Sequence, residues 1–198
     1  MAFLLVHLSI NLFLFVGKEA FNQASYFMSH NPFIQGMQWV LVAGFILHIY
    51  LGIKLHLQNK KARGKIPYAI NKYKAHTPFN SRTMLYTGLL TLCFLILHLS
   101  DFTLPIKTNQ MRGMDDYELV TSLFRSPFYS LIYVFSFIIL AIHLSHGIKA
   151  SFSSMGVSPR SYMHWLKPLG IAYFWFISLG FSAIAIWFFL KGNFCFNP

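Results

Sequence analysis

The sequence predicts an all-α integral membrane protein in which five transmembrane helices form one bundle. Hydrophobic residues make up 56% of the 198 residues and charged residues only 11%, whereas charged residues usually supply about a quarter of a soluble domain. Apolar runs of about 20 residues also recur, and at 1.5 Å per residue such a run matches a hydrocarbon core of about 30 Å. Residues 1–198 are therefore treated as a single transmembrane domain.

The apolar runs and the residues that interrupt them predict each span. The spans cover about residues 2–16, 36–57, 83–104, 127–149 and 168–190. The first would reach only about 24 Å, so we expect further residues before Met1 in the complete protein. Asn31 and Pro32 mark a turn before the second span. Pro127 and Pro168 suit the first turn of a helix, where a missing N–H costs nothing.

With five spans, the charges divide unequally between the two faces of the membrane. One face has eleven cations and no carboxylate, namely Lys54, Lys60, Lys61, Arg63, Lys65, Lys72, Lys74, Arg82, Lys149, Arg160 and Lys167. Five cations and five carboxylates cancel on the other face, so the net charge of +11 belongs to one side. The positive-inside rule assigns that side to the cytoplasm, with the N-terminus inside and the C-terminus outside.

The loop QNKKARGKIPYAINKYKAH at 58–76 carries much of this positive charge. Orientation alone accounts for part of it, and the excess favours docking of a protein or of anionic lipid. Five adjacent membrane spans argue against nucleic acid as a partner. The two cysteines form no CxxC or CxxCH motif, which disfavours covalent c-type haem and cysteine-ligated metal on this chain.

Four apolar segments each contain one histidine: His7, His48, His98 and His143. An ionisable side chain inside a membrane is costly, so a functional role is the default interpretation. From the helical rise, His48 and His143 lie about 14 and 9 Å from the cytoplasmic ends of their spans. His7 and His98 lie about 14 and 9 Å from the opposite ends. The four side chains therefore form an inner and an outer pair.

Two imidazoles on different helices at one depth suit a b-type haem, whose iron takes one imidazole from each side. Ligation also removes the cost of burying the ring, because a neutral imidazole donates its lone pair without a charge. Two axial histidines leave the iron no open position, which favours electron transfer over oxygen chemistry. The histidines thus predict a bundle holding two b haems.

Small residues and a second histidine lie close to the inner pair in sequence. Gly44, Gly52 and Gly147 each fall one helical turn from an inner histidine, where an absent side chain would let a porphyrin approach the backbone. Close helix packing explains these glycines equally well. His146 shares the approximate helix face of His143 and is the rival ligand.

Several longer blocks carry a family resemblance that extends over almost the entire chain. They are HLSIN at 7–11, KEAFNQASYFMSHNPF at 18–33, LHIYLGIKL at 47–55, QNKKARG at 58–64, LHLSD at 97–101 and SPFYSLIYVFSFIILAIHLSHGIKASFSSMGVSPRS at 126–161. With these blocks the sequence resembles the single-chain, five-helix, di-haem cytochrome b anchor subunits of succinate dehydrogenases and fumarate reductases.

The resemblance implies axial ligands at His7 and His98 for an outer b haem and at His48 and His143 for an inner one. The spacing of thirteen residues from His143 to Gly156 selects that histidine over its rival. Some fumarate-reducing members carry a glutamate two residues before the fourth ligand, where this chain has Ala141. The proton path proposed for that glutamate is therefore in doubt here.

The resemblance also implies partners and a location. A flavoprotein subunit with FAD and an iron–sulfur subunit would dock on the basic cytoplasmic face of a bacterial cytoplasmic membrane. This chain would pass electrons between the iron–sulfur subunit and a quinone, expected to be menaquinone. It would not act on dicarboxylates and would not be an enzyme by itself.

Other classes make different demands on the sequence. A desaturase needs clustered histidine boxes, and a bc-type cytochrome places two ligands on one helix, whereas this chain has one per helix. The remaining alternatives are the cytochrome b anchor of another membrane oxidoreductase and a haem-free proton-coupled transporter. Polar residues near the span ends, namely Ser29, His30, Asp101, Lys54 and Arg82, are interpreted as interfacial residues rather than as quinone ligands.

Overall fold

The computed structural model describes residues 2–63, 79–108, 110, 113–154 and 160–194. The helices are α1 (Ala2–Val16), α2 (Lys18–His30), α3 (Pro32–Arg63), α4 (Phe79–His98), α5 (Leu104–Thr108), α6 (Asp116–Arg125), α7 (Pro127–Ser154) and α8 (Arg160–Asn193). A π-helical turn, Leu99–Thr103, joins α4 to α5. Every regular element in these ranges is helical, which confirms the all-α class.

Within the described ranges, four helical stretches are long and apolar enough to cross a membrane. They are Pro32–Ala62, Thr83–Thr108, Pro127–Ile148 and His164–Asn193. The shortest has 22 residues and extends about 33 Å, enough for a hydrocarbon core of about 30 Å. The chain is therefore a multi-pass membrane protein. Helix α1 is apolar but has only 15 residues, so the fifth span stays a prediction.

The structure has a helix boundary at the position of the turn predicted before the second span. Asn31 lies between α2 and α3, and its side-chain Oδ1 accepts hydrogen bonds from the backbone N–H groups of Phe33 (3.0 Å) and Ile34 (3.3 Å). Pro32 then occupies the first position of α3. An asparagine N-cap followed by proline satisfies the free N–H groups of the first turn.

Of the two prolines predicted to begin a helix, one does so. Helix α7 begins at Pro127, as expected. The prediction for Pro168 is wrong, because α8 begins at Arg160 and contains that proline in its interior. An internal proline removes one helical hydrogen bond, and the turns on either side of it keep the helix continuous.

Contacts divide the chain into two compact units. The first consists of Met1–Ser25 and Thr87–Pro198, and the second of Tyr26–Tyr86. Buried residues of the first unit form one core that contains Leu8, Leu14, Phe21, Phe102, Val120, Phe124, Tyr133, Phe137, Ile177, Phe181, Ile184, Ala185 and Phe188. In the second unit, no residue of α3 whose side chain is described is buried. Such an apolar, exposed helix is suited to contact with lipid.

In the first unit, a polar junction holds the start of α2 against the start of α6. Lys18 Nζ lies 2.7 Å from carboxylate oxygens of both Asp115 and Glu118. The Asp115 side chain also accepts a hydrogen bond from the backbone N–H of Glu118, and the Glu118 side chain accepts one from the backbone N–H of Asp115, forming a capping box. The side-chain oxygen of Asn22 accepts the backbone N–H of Tyr117 at 2.9 Å. These bonds satisfy the free N–H groups at the start of α6.

The same junction changes the acidity of its carboxyl groups. Partial burial opposes ionisation of Asp115, but the hydrogen bonds from Lys18, the Glu118 backbone and Asn22 together lower its pKa. The hydrogen bond from Lys18 is the main reason that the pKa of Glu118 is lowered. Hydrogen bonds to both carboxylates raise the pKa of the Lys18 ammonium group. Ionisation of all three groups therefore favours the docked arrangement.

Candidate functional site

The fold brings together two of the four histidines predicted from the sequence. His7 on α1 and His98 at the end of α4 belong to the same compact unit. Their ring centroids lie 5.8 Å apart, with an interplanar angle of 84°. The two rings are separated by 90 residues of sequence, so their meeting is a consequence of the tertiary fold.

Close packing of α1 on α8 positions His7. The neighbouring Leu8 is buried against Gly180 of α8, where an added Cβ would come within 2.8 Å of a leucine methyl carbon. This contact brings the two helix backbones close together. His7 then packs against Phe181 of α8 at 5.3 Å and stacks on Phe3 of its own helix at 5.4 Å, both measured between ring centroids.

Aromatic residues from three sides surround His98. Ring centroids of Phe94, Phe102 and Tyr133 lie 5.7, 5.2 and 6.2 Å from its centroid. Phe94 precedes His98 by one turn and Phe102 follows it in the π-helical turn, whereas Tyr133 comes from α7. The imidazole is therefore surrounded by aromatic rings that limit its rotation.

Two observations bear on whether this pair could hold a haem. Imidazoles bound to one metal ion through nitrogens at about 2 Å would have centroids roughly 6 Å apart, close to the observed 5.8 Å. The Nδ1 atom of His98 is also buried without a hydrogen-bond partner among the described residues. Such an unpaired atom costs about 1–3 kcal/mol, so this nitrogen is suited to a partner that the described residues do not supply.

His143 on α7 has a different environment. Thr87 Oγ1 of α4 lies 3.3 Å from its Nδ1 atom. An added Cβ at the adjacent Gly88 would lie 3.1 Å from the ring atom Cε1, so the glycine makes room for the imidazole. Ligating histidines commonly hold a second-shell partner through the nitrogen that does not bind metal. With Thr87 at Nδ1, the atom suited to a metal is Nε2.

The fourth histidine, His48, belongs to the other compact unit. It lies on α3 and its side chain is exposed in the structure. Cβ atoms added at Gly44 and Gly52, one turn away on each side, would meet nothing within 4 Å, and the same holds for Gly147 after His143. The pairing of His48 with His143 stays a prediction.

The remaining histidines occupy varied positions. His146, the rival ligand, has a buried Nδ1 atom without a partner among the described residues, as has the adjacent Ser145 hydroxyl. His30 ends α2 and stacks on Tyr26 with ring centroids 3.8 Å apart. His56 and His164 are exposed, and His76 lies outside the described residues, as does most of the basic loop. No cluster of three or more histidine, cysteine or acidic residues that could hold a metal ion occurs in the described ranges.

Sequence reasoning missed several neighbours of the histidines. Gly88 was not considered, although a glycine within an apolar span is a signal for close approach of another group. Thr87, Tyr133 and the π-helical turn after His98 were also missed. No local pattern indicates which distant residues will contact a given imidazole.

Four helices long and apolar enough to cross a membrane, together with the adjacent rings of His7 and His98, define a multi-pass, all-α membrane protein with a histidine pair between two of its helices. Over 162 residues the sequence is 26% identical to the succinate dehydrogenase cytochrome b558 subunit of Bacillus subtilis strain 168. The matched region covers 80% of this chain and 75% of that protein. No protein-family model matches the chain, and no solved structure matches it. The similarity to the Bacillus subtilis protein supports the family resemblance seen in the sequence blocks.

Proposed function

We propose that this chain is the membrane-anchor and electron-transfer subunit of a succinate dehydrogenase or fumarate reductase. It passes electrons between an iron–sulfur subunit and menaquinone through two b haems, each ligated by two histidines. The observation that carries the proposal is the meeting of His7 and His98, two imidazoles from different apolar helices, at a ring separation of 5.8 Å. The similarity to a succinate dehydrogenase cytochrome b subunit supports the same function.

His7 and His98 would hold the outer haem. Phe3 and Phe181 pack on one ring, and Phe94 and Phe102 pack on the other. This packing limits the rotation of each imidazole before a haem binds, so less side-chain entropy is lost on ligation. A bis-histidine b haem supplies one-electron chemistry with no open coordination position, which suits electron transfer.

His143 and His48 would hold the inner haem. The hydrogen bond between Thr87 and Nδ1 of His143 orients that ring, and Gly88 leaves it the space that it occupies. The open space beside Gly44, Gly52 and Gly147 is suited to a flat ligand that approaches the helix backbone. The two histidine pairs would hold the haems at two depths in the membrane, which suits electron transfer from one side to the other.

The visible spectrum of the purified full-length chain tests this function directly. We expect two low-spin b haems per chain in the reduced-minus-oxidised spectrum, with haem quantified against protein. A colourless protein would contradict the proposal and favour a proton-coupled transporter.

Substitution of the inner ligands tests the pairing. His48→Ala and His143→Ala should each remove the inner haem and leave the outer one, reducing the haem content from two per chain to one. His56→Ala is a matched control, since His56 lies on α3 two turns beyond His48. Retention of both haems in the His48 and His143 variants would refute the pairing.

The basic face provides the docking surface for the flavoprotein and iron–sulfur subunits. Lys60 and Lys61 are exposed at the end of α3, where the positive-inside rule predicts the cytoplasm. Charge reversal at Lys60, Lys61, Arg63 and Lys65 should release the soluble subunits at high salt. Reversal at Lys191, predicted on the opposite face, is the control, and a complex that stays intact in the fourfold variant would exclude this surface.

A further inference from the structure

A buried tyrosine forms a hydrogen bond next to the outer histidine pair. Tyr133 of α7 has no exposed surface, and its hydroxyl donates to Oδ2 of Asp101 at 2.7 Å. The rings of Phe94, Phe102, Phe124 and Phe137 surround it, with centroids 5.3–5.9 Å from its own. In such an apolar environment a hydroxyl must find a hydrogen-bond partner. Asp101 therefore fixes where the Tyr133 ring lies.

Asp101 itself belongs to an unusual backbone segment. It lies within the π-helical turn Leu99–Thr103, which begins directly after His98 and is closed by the bond from the Leu104 N–H to the Leu99 carbonyl. Turns of this type are rare and occur frequently at functional sites, because they insert an extra residue into the helical register. The bond from Tyr133 ties this turn to α7.

Tyr133 contacts both Asp101 and the His98 ring, so the three residues restrain one another. The π-helical turn connects His98 to Asp101 through the backbone. The Asp101 side chain accepts a hydrogen bond from Tyr133, and the Tyr133 ring packs on His98 with centroids 6.2 Å apart. Tyr133 therefore limits rotation of the imidazole. Movement of Tyr133 in turn would break the hydrogen bond between Tyr133 and Asp101 or shift the π-helical turn.

We infer that Asp101 and Tyr133 are positioning residues, which set the orientation of the His98 imidazole and thereby the properties of the outer haem. The inference rests on the proposed function, in which His98 is an axial ligand. Partners outside the ligand shell orient metal-bound histidines and tune the metal. With a haem held by His98, the carboxylate of Asp101 in the turn that follows this ligand would add negative charge to the site, which would favour the oxidised state and lower the reduction potential.

Three variants separate the effect on ring orientation from the effect of the Asp101 charge. Tyr133→Phe removes the hydrogen bond and keeps the ring, Asp101→Ala removes both acceptor and charge, and Asp101→Asn keeps an acceptor oxygen but removes the charge. Ser130→Ala is the matched control, because Ser130 lies one turn before Tyr133 on α7 and its buried hydroxyl donates to the Phe124 carbonyl at 2.7 Å.

Electron paramagnetic resonance and redox titration of the purified full-length chain give the readouts, with the outer-haem signal assigned by its loss in His98→Ala. We expect Tyr133→Phe and Asp101→Ala to shift the largest g value of the outer haem, which reports the relative orientation of the axial rings. Asp101→Asn should leave that g value near its original position but raise the midpoint potential. Ser130→Ala and the inner-haem signal should not change.

A readout independent of haem keeps the inference testable if a variant fails to incorporate the cofactor. Hydrogen exchange at the Leu104 amide, which closes the π-helical turn, should accelerate in Tyr133→Phe and Asp101→Ala but not in Ser130→Ala. Unchanged g value, potential and exchange in these two variants would overturn the inference while leaving the proposed function intact. An unaltered chain without haem would contradict the proposed function and the inference together.

Discussion

The two regions that contain the predicted haem ligands differ in what the fold supplies to each histidine. His7 and His98 meet within one compact unit, in an aromatic environment built by α1, α4, α7 and α8. His143 instead has a threonine hydroxyl and a glycine against its ring, and its predicted partner, His48, lies on an exposed helix of the other unit. The outer pair thus depends on core packing, whereas the contacts of His143 include a glycine that leaves it space and a threonine that hydrogen-bonds to it.

The largest expected effect comes from removing an outer ligand. His98→Ala should eliminate the outer haem and reduce the haem content from two per chain to one, because no second imidazole would face His7. Haem quantified per chain, with the spectrum of the remaining haem, provides the measurement. His146→Ala serves as the control and should retain both haems. Two haems in the His98 variant would show that His98 is not a ligand of the outer haem.

A cavity in the α1–α8 contact should affect the outer site selectively. Leu8→Ala removes a side chain that is 2% exposed beside His7, and such truncations cost about 2–5 kcal/mol. We expect weaker binding of the outer haem and unchanged binding of the inner one, measured by haem content and by thermal unfolding in detergent. Leu5→Ala, at a position that is 46% exposed on the same helix, is the control. Equal losses at both haems would contradict a local role for this contact.

A methyl group at Gly88 should affect the predicted inner-haem site at His143. Gly88→Ala would place a carbon 3.1 Å from Cε1 of His143, and overpacking of this kind costs about 1–3 kcal/mol. The imidazole must shift, so we expect reduced occupancy or an altered spectrum of the inner haem only. Gly36→Ala, where an added Cβ meets nothing within 4 Å, is the control. An unchanged inner-haem spectrum in Gly88→Ala would show that His143 tolerates the added atom.

The smallest effect concerns the polar junction of the first unit, away from both histidine sites. The folded-state pKa values of Asp115 and Glu118 are lowered from their ordinary values of 3.8 and 4.5. Their contribution to stability is therefore complete above those values and is lost as the pH falls through the lowered ones. Lys18→Met should flatten this acid-side dependence of the thermal midpoint, whereas Lys191→Met should not. An identical pH profile for Lys18→Met and the unaltered chain would exclude the junction as its source.

Much of the fold could be predicted from the sequence because its signals are local. Apolar runs identified the helices that can cross a membrane, and the Asn31–Pro32 and Pro127 boundaries follow from backbone chemistry that acts within a few residues. The same reasoning failed at Pro168, where helical turns on both sides extend through the proline. The amphipathic helices α2 and α6 were missed, because short polar helices depend on tertiary packing more than on hydropathy.

The candidate site was only partly predictable. Depth along each span grouped His7 with His98, since helical rise converts residue number into distance. Which side chains surround each ring does not follow from depth. Tyr133 approaches His98 from a helix about 30 residues further along the chain, and Gly88 meets His143 across 55 residues.

By itself, the sequence determined the all-α membrane class, and it predicted the depths of the four histidines and an unequal distribution of charge between the two faces. Hydropathy, helical rise and net charge are sums over neighbouring residues, so they require no knowledge of the folded chain. Only the tertiary structure decided that His7 and His98 face each other, that a π-helical turn follows His98 and that Asp101 holds Tyr133. These features arise because packing selects among the many contacts that the same local pattern permits.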